Sequence, residues 1–465
     1  MPKEQVSYSI DSHCHLDTDL YPRWQEVLKE AKDEGVGKVI AVLSEPSHIV
    51  RYEEMVDHPD LYFVLGCHPH TASEYDDAFE GEIREWARKY PEKLVGIGEV
   101  GLDFHYNFSP PEVQREVFLK QIELARELDL PVVIHTREAE EDTLNLLHKT
   151  GSLDDISVLF HCYSQSEDFL RPLLKYPHIH FSFSGIITFK KSESLRQQLK
   201  AISLTNIHAE TDAPYLAPVP YRGRENKPSY LPAIIRTMAQ TLRMSPEVLR
   251  DILTVNTLRF FRIEDERIPQ ETAYEYEDNI YLNITSYCGL QCPFCIKKQG
   301  RFGGLPLFLK RKPSSGEIIR RLAEFPLRNY REIVFCGYGE PTLNLPVLLE
   351  TSRWIKENTT LRVRVNTNGL GNLYNQKNIL PDLSEYVDYL SISLNASSSE
   401  EYAEIMELKP FQPDYYSHIL EFLHEAKKHF PGNSLCISAV RLSGLDDQKF
   451  KELASSLGVN YRLRP

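Results

Sequence analysis

The chain has 465 residues, 42% of them hydrophobic and 26% charged, with 22 glycines and 29 prolines. That length exceeds one ordinary hydrophobic core, so two or more folded domains are expected and a disordered chain is excluded. A net charge of −14 argues against a broad basic surface wrapped by duplex nucleic acid, although bound metal ions can supply positive charge inside a small cleft. The opening Met-Pro-Lys-Glu-Gln-Val lacks the apolar core of a signal peptide, and no apolar run approaches membrane length. Eight cysteines without a regular framework fit a reducing compartment. A cytoplasmic protein without membrane association is therefore expected; the oligomeric state is not legible.

Along residues 1–263, apolar β-branched runs fall at 6–10, 38–43, 62–66, 94–98, 131–134, 156–160, 179–183 and 207–209. Stretches of helical periodicity lie between them, as at 114–128. Eight strands with helical connections in about 260 residues is the arithmetic of a (β/α)8 TIM barrel, whose chemistry collects at the C-terminal strand ends. His13 and His15 stand two apart on an extended chain and point the same way. Glu99, His135, His161 and Asp212 follow at the ends of the fourth, fifth, sixth and eighth predicted strands. Four histidines and two carboxylates suit two adjacent divalent ions bridged by a carboxylate. Cys14 and Cys162 each neighbour such a residue and Cys67 neighbours the pocket candidate His68; adjacent side chains on a strand face opposite ways, so these thiols are expected to pack rather than ligate.

The motifs Asp11-Ser-His-Cys-His-Leu-Asp17, Gly66-Cys-His-Pro-His70, Gly96-Ile-Gly-Glu-Val-Gly-Leu-Asp103, Leu130-Pro-Val-Val-Ile-His-Thr-Arg137, Phe160-His-Cys162 and Glu210-Thr-Asp-Ala-Pro-Tyr-Leu216 resemble the TatD family of metal-dependent nucleases, in family order. The resemblance implies one Mg, Mn or Zn ion on His13, His15, Glu99 and Asp212, and a second on Glu99, His135 and His161. It implies that Glu99 and Asp212 are catalytic, Asp212 positioning or deprotonating the attacking water. His68, Arg137 and the segment 222–228 would face substrate phosphate. Gln165 departs from the family pattern of aromatic, serine and glycine, which bears on substrate choice.

Residues 264–278 are acidic without apolar periodicity and read as a linker or an ordered strap. Beyond it, strands are predicted at 279–285, 332–336, 361–366, 387–394, 435–440 and 460–463, an open, partial (β/α)6 barrel over 279–465. The first of these strands runs into Cys288-Gly-Leu-Gln-Cys292-Pro-Phe-Cys295. Three cysteines so close suit one iron–sulfur cube; structural zinc prefers four ligands, and a disulfide would leave one thiol over.

Cys-x3-Cys-x2-Cys with an aromatic before the last cysteine resembles the signature of radical S-adenosylmethionine (SAM) enzymes, which also implies the partial barrel. By that resemblance Cys288, Cys292 and Cys295 hold a [4Fe–4S] cluster, SAM binds the fourth iron, and a flavodoxin- or ferredoxin-like donor supplies electrons. Gly337-Tyr-Gly339-Glu340-Pro looks like the family's Gly-Gly-Glu-Pro with Tyr338 inserted. Gly337, Gly339, Glu340, Asn368, Ser393, Asn395 and Arg441 are then the expected SAM contacts. The basic run Lys297, Lys298, Arg301, Lys310, Arg311 and Lys312 reads as a solvated loop or as a cover that attracts an anionic substrate. Cys336 and Cys436 are isolated, and no auxiliary cluster is expected. The sequence thus predicts a dimetal phosphoesterase joined to a SAM-cleaving domain, acting on nucleic acid or nucleotide-like material. An ester or amide hydrolase, such as an aminoacyl-tRNA deacylase, and a nucleic-acid-binding scaffold with inactive sites are the alternatives.

Overall fold

A computed structural model describes residues 8–464 apart from 18, 44, 107, 266–269, 300–304 and 443–444, and only the backbone of residue 299. It resolves the chain into two units, Met1–Ile268 and Pro269–Pro465.

The first unit carries eight parallel strands paired in sequence order: β1 (Ser9–Cys14), β2 (Val36–Val42), β3 (Leu61–Leu65), β4 (Leu94–Asp103), β5 (Val132–Arg137), β6 (Val158–Phe160), β7 (Ile179–Phe183) and β8 (Ile207–Ala209). Helices separate them, with chemistry that explains where they begin. Asp76 caps Asp77–Lys89 by accepting from Phe79 N (2.9 Å), and Ser245 caps Pro246–Phe260 from Val248 N (3.2 Å). Pro111 opens Pro111–Glu127, which buries Val117, Phe118, Ile122, Leu124 and Ala125 along one face.

The sheet curls into a near-barrel. Beyond β8 the chain pairs back onto β1: Asp212 N donates to His13 O (2.9 Å) and His15 N donates to Ala213 O (2.8 Å). Ile10, Ile40, Val42, Val64, Val95, Val133 and Leu159 form one cluster with Leu258, Phe260 and Phe261. Side chains drawn from six successive strands can meet only on the barrel axis, so the last helix ends by plugging it. His180 and His208 are buried against Phe260, 2.8 Å apart through Nδ1 and Nε2.

Two strands run further than the apolar pattern predicts. β1 extends through Asp11 and His13 because these polar side chains face partners, not water; Asp11 Oδ1 accepts from Thr211 N (2.8 Å) across the closing seam. β4 continues past Glu99 to Asp103, and at Gly101 (φ +139°) a Cβ would lie 2.0 Å from His135 O. Only glycine fits where β4 and β5 approach so closely. Residues 6 and 7 of the first predicted strand lie outside the described residues.

The second unit is a seven-stranded sheet in the order β15-β14-β13-β12-β11-β10-β9. Its parallel members are β10 (Asn279–Leu282), β11 (Glu332–Phe335), β12 (Arg362–Thr367), β13 (Tyr389–Ser393), β14 (Leu435–Val440) and β15 (Asn460–Arg464). One face is apolar: Ile280, Leu282, Ile333, Phe335, Val363, Val365, Leu390, Ile392, Leu435 and Ile437 pack with helix residues such as Leu348, Ile355, Ile419 and Phe422. The other is polar by alternation, with Arg364, Asn366, Ser391, Ser393, Ser438, Arg462 and Arg464.

Within 264–278, read as a linker or an ordered strap, the structure places the strand β9 (Ala273–Tyr276). It pairs antiparallel with β10 through the two-residue turn Glu277–Asp278, Glu277 taking φ +54°. Alternation over four residues, three of them glutamate or tyrosine, was too short a signal to stand out. Asp265 belongs instead to the first unit, where it is buried and Tyr8 Oη donates to Oδ2 (2.5 Å). Residues 266–269 between them lie outside the described residues.

Candidate functional site

Glu99 is the hub of the first unit. Its Oε1 lies 2.8 Å from His135 Nδ1, 2.5 Å from His161 Nε2 and 3.5 Å from His68 Nε2. Its Oε2 lies 3.4 Å from His13 Nε2 and 3.8 Å from His15 Nε2. Asp212 Oδ1 completes the second side, 3.5 Å from His15 Nε2 and 3.9 Å from His13 Nε2. All six expected ligand residues therefore converge, with one carboxylate oxygen turned to each group of histidines. The groupings His13–His15–Asp212 and His68–Glu99–His135 each offer donor atoms within 4.8 Å of one another.

The charge distribution fits cations at this point. Burial alone would raise the Glu99 carboxyl, but His161, His68, His13 and His135 outweigh it and hold the acid well below its usual range. Burial likewise opposes protonation of His15, yet Asp212 lifts its pKa to about 9. Glu99 and Glu210 raise His161. Buried carboxylates balanced by protons on imidazoles are what a metal site shows when protons compensate its ligands. His13, lowered by burial, keeps Nδ1 buried without a partner among the described residues.

Three groups outside the expected ligand set fix it in place. His15 Nδ1 donates to Val42 O (2.9 Å), leaving Nε2 for the pocket. Asp103 Oδ2 accepts from His135 Nε2 (3.1 Å) and His70 Nε2 (2.8 Å), which turns His135 Nδ1 toward Glu99. Glu210 Oε1 lies 3.5 Å from His161 Nδ1 and accepts from Cys162 N (2.6 Å). Asp103 and Glu210 were not singled out from the sequence. Their even spacing from Glu99 and Asp212 along extended chain was the signal that could have found them.

His68, expected at the substrate, sits within the set as a neutral imidazole whose pKa burial lowers to about 4; its Nδ1 accepts from His70 N (3.1 Å). Arg137 is exposed at the rim, 4.9 Å over the Tyr106 ring. The segment 222–228 is partly consumed by the fold: Asn226 Nδ2 donates to Thr211 O (2.7 Å) and Lys227 pairs with Glu30 (2.9 Å), while Arg222 stacks on Phe189 (4.0 Å). Gln165 ties its loop to Thr136 O (2.5 Å). Cys14 and Cys67 are buried, and Cys162 Sγ lies 3.1 Å from Ser184 Oγ; burial raises all three thiols, so none is poised as a thiolate.

In the second unit Cys288, Cys292 and Cys295 are partly buried on the loop after β10, outside any disulfide. Lys297 beside them is 2% exposed, and its Nζ has no acceptor among the described residues. An ammonium buried without a partner is costly, and next to three thiols it fits an anionic group held on that loop. Asn368 reaches it, Nδ2 lying 3.9 Å from Cys288 Sγ.

The remaining expected SAM residues are placed differently. A Cβ on Gly337 would meet Asn283 Oδ1 at 2.1 Å, and one on Gly339 would meet Thr285 O at 2.2 Å. These glycines seat the base of the cysteine loop. Glu340 is buried and accepts four hydrogen bonds, from Thr342 N and Oγ1, Thr367 Oγ1 and Asn368 N (2.7–3.2 Å). Asn395, at φ +61°, accepts from Val440 N (3.3 Å), and Ser393 Oγ accepts from Arg464. Arg441 points outward to Asp447 Oδ2 (3.0 Å) with 63% of its side chain exposed. Nor is the basic run one solvated stretch: Lys310 is buried, Arg311 pairs with Glu317, and Lys312 Nζ donates to Leu343 O (2.9 Å). Arg301 lies outside the described residues. Tyr338 packs on Phe308, ring centroids 4.7 Å apart.

A barrel with this histidine and carboxylate set at its strand ends, followed by a parallel sheet with a three-cysteine loop, defines a metal-dependent hydrolase joined to a radical SAM domain. The chain belongs to the TatD related DNase family, whose model matches residues 10–262, and the radical SAM superfamily model matches residues 282–457. It is 36% identical over 256 residues to the uncharacterized metal-dependent hydrolase YabD of Bacillus subtilis, covering 55% of this chain and 99% of that one. It is 33% identical over 235 residues to the human 3'-5' RNA nuclease TATDN2, covering 47% of this chain and 30% of that one. The crystal structure of YJJV, a TatD homolog from Escherichia coli, superposes with a TM-score of 0.52 at 25% identity, covering 56% of this chain and 100% of that one. The radical SAM family implies an iron–sulfur cluster and SAM. Among the described residues no helix is long and apolar enough to cross a membrane.

Proposed function

We propose that the first unit hydrolyses phosphodiester bonds in nucleic acid or nucleotide-like substrates. Its two divalent ions, Mg, Mn or Zn, would rest on His13, His15, Glu99 and Asp212 and on Glu99, His135 and His161. The observation that carries this is the division of Glu99, one oxygen toward each set of histidines. Bound there, the ions would polarise the phosphoryl group and supply a water of lowered pKa. Asp212 orients that water and takes its proton, Asp103 and Glu210 keep His135 and His161 in register, and Arg137 faces the phosphate. The nuclease activity named for the human relative supports the substrate class. Cys288, Cys292 and Cys295 would hold the [4Fe–4S] cluster of the second unit, with Asn368 beside it and a flavodoxin- or ferredoxin-like protein supplying electrons for SAM cleavage. The test of the first reading is incubation with end-labelled single-stranded DNA and RNA and with aminoacyl-tRNA in Mg²⁺ or Mn²⁺. Shortening from one end is expected; release of amino acid with the RNA length unchanged would replace the nuclease by a deacylase.

A further inference from the structure

The polar face of the second sheet holds a cation that none of these roles uses. Arg464 on β15 is partly buried; Nη2 donates to Ser393 Oγ (3.2 Å), and Nε is buried with no acceptor among the described residues. Neither the carboxylate of Glu332 on β11 nor that of Glu340 just after it is available to Arg464. Glu332 pairs with Arg364 Nη1 (2.9 Å), and Glu340 accepts from its four donors. Alternation puts Arg462 on the same face, its Cα opposite Ser438, which in turn stands opposite Ser393. Asn366 Oδ1, on that face of β12, is also buried without a donor among the described residues.

One neutral hydroxyl does not compensate a guanidinium for lost water, and a buried cation is normally paired. In a chain of net charge −14 the want of a carboxylate on Arg464 is not for lack of supply. Burial lowers the Arg464 pKa, and the thiols of Cys336 and Cys292 are the first groups to oppose that, so Arg464 looks onto the same space as the cysteine loop. A planar fork with free N–H groups matches the paired oxygens of a carboxylate or phosphate.

We propose that Arg464, with Ser393 and Arg462, is an oxyanion seat on the polar face of the second sheet, taking a carboxylate or phosphate of the molecule held there. That group belongs to a phosphate-bearing substrate. The inference leans on the SAM-cleaving reading only in the choice of SAM as one probe. Binding needs no turnover, so failure of the seat and failure of SAM cleavage are visible separately.

The test is calorimetric titration of the anaerobically reconstituted full chain with inorganic phosphate and, separately, with SAM, for wild type, Arg464→Gln and Arg464→Lys. Phosphate taken up by the first unit is common to all three proteins and cancels. Arg464→Gln is expected to weaken phosphate binding at least 10-fold, and Arg464→Lys less, because it keeps charge without the fork. A 10-fold loss confined to SAM would place Arg464 at the cofactor and overturn the substrate seat. Binding of both probes as in wild type, with iron content matched, would overturn the proposal. Should Arg464→Gln fail to fold, Arg464→Lys and Ser393→Ala carry the same comparison, and unchanged affinities in both would overturn it equally.

Discussion

Replacing Glu99 by glutamine keeps the side chain's size and removes the one charge that both histidine groups share. The carboxylate lies 2.5–3.8 Å from nitrogens of His161, His135, His68, His13 and His15, so an ion on either side would sit against one of its oxygens. Even against one unit of the ion's charge, a carboxylate about 4 Å away contributes about 4 kcal/mol at an effective dielectric of about 20, so about 10³ in affinity is a lower bound. The loss acts on both ions, since Glu99→Gln leaves neither its anionic partner. We therefore expect metal uptake to weaken at least about 10³-fold and hydrolysis to vanish at limiting metal. His161→Ala removes a nitrogen that faces only Oε1 and should disturb mainly one ion, so excess metal should recover part of its activity. Metal per chain after dialysis against Mn²⁺, with hydrolysis of bis(p-nitrophenyl) phosphate, reads both. Glu99→Gln protein that retains two ions and wild-type turnover at limiting metal would refute the shared-carboxylate geometry.

Cys292→Ala should abolish reductive cleavage of SAM to 5′-deoxyadenosine and methionine while hydrolysis persists; cleavage surviving the substitution, or zinc in place of iron, would sink the cluster reading. Gly101→Ala drives a Cβ to 2.0 Å from His135 O at φ +139°, and should cost about 3 kcal/mol or more, seen as a lower Tm with reduced metal affinity; a wild-type Tm would contradict the close approach. His208 titrates near 3, below the usual 6.5, because burial and then Arg259 disfavour its charged form. The unfolded chain therefore takes up a proton that the fold refuses as pH falls below about 6.5, and stability drops by about 1.4 kcal/mol per pH unit, or about 2 kcal/mol at pH 5. In His208→Asn the pH 7.5-to-5 loss in stability should shrink by that amount, and an unchanged loss would show that His208 is not the group responsible.

The barrel was legible because its signal is long: eight apolar runs at helical intervals leave few alternatives, and His13, His15, Glu99, His135, His161 and Asp212 each ended one. What escaped was polar or short. Asp11, Asp103 and Glu210 sit inside or beside strands where polarity suggests a loop, yet each is satisfied across the barrel by Thr211, His70 and His135, or His161 and Cys162. Such pairings join residues as many as 200 positions apart, which no local pattern reveals. In the second unit, Gly337 and Gly339 also leave room for Asn283 and Thr285, and Glu340 accepts four internal hydrogen bonds. Arg441 was chosen for its strand end, whereas side-chain direction alone separates it from Arg464, which turns inward from β15 to Ser393.

The two sites stand in opposite electrostatic positions. In the first, Glu99, Asp212, Asp103 and Glu210 are buried together, and the histidines among them compensate only while they hold protons. A phosphate approaching that pocket meets carboxylates unless divalent ions have displaced those protons, so ion loading must precede anion binding. In the second, Lys297, Arg364, Arg462 and Arg464 line the loop and the polar face with Glu332 as the one acidic partner hydrogen-bonded to them among the described residues. That face needs no ion to receive an anion. A single phosphate-bearing substrate would therefore bind the first site only with metal present and the second without it. Chelation followed by phosphate titration would separate the two affinities within one chain.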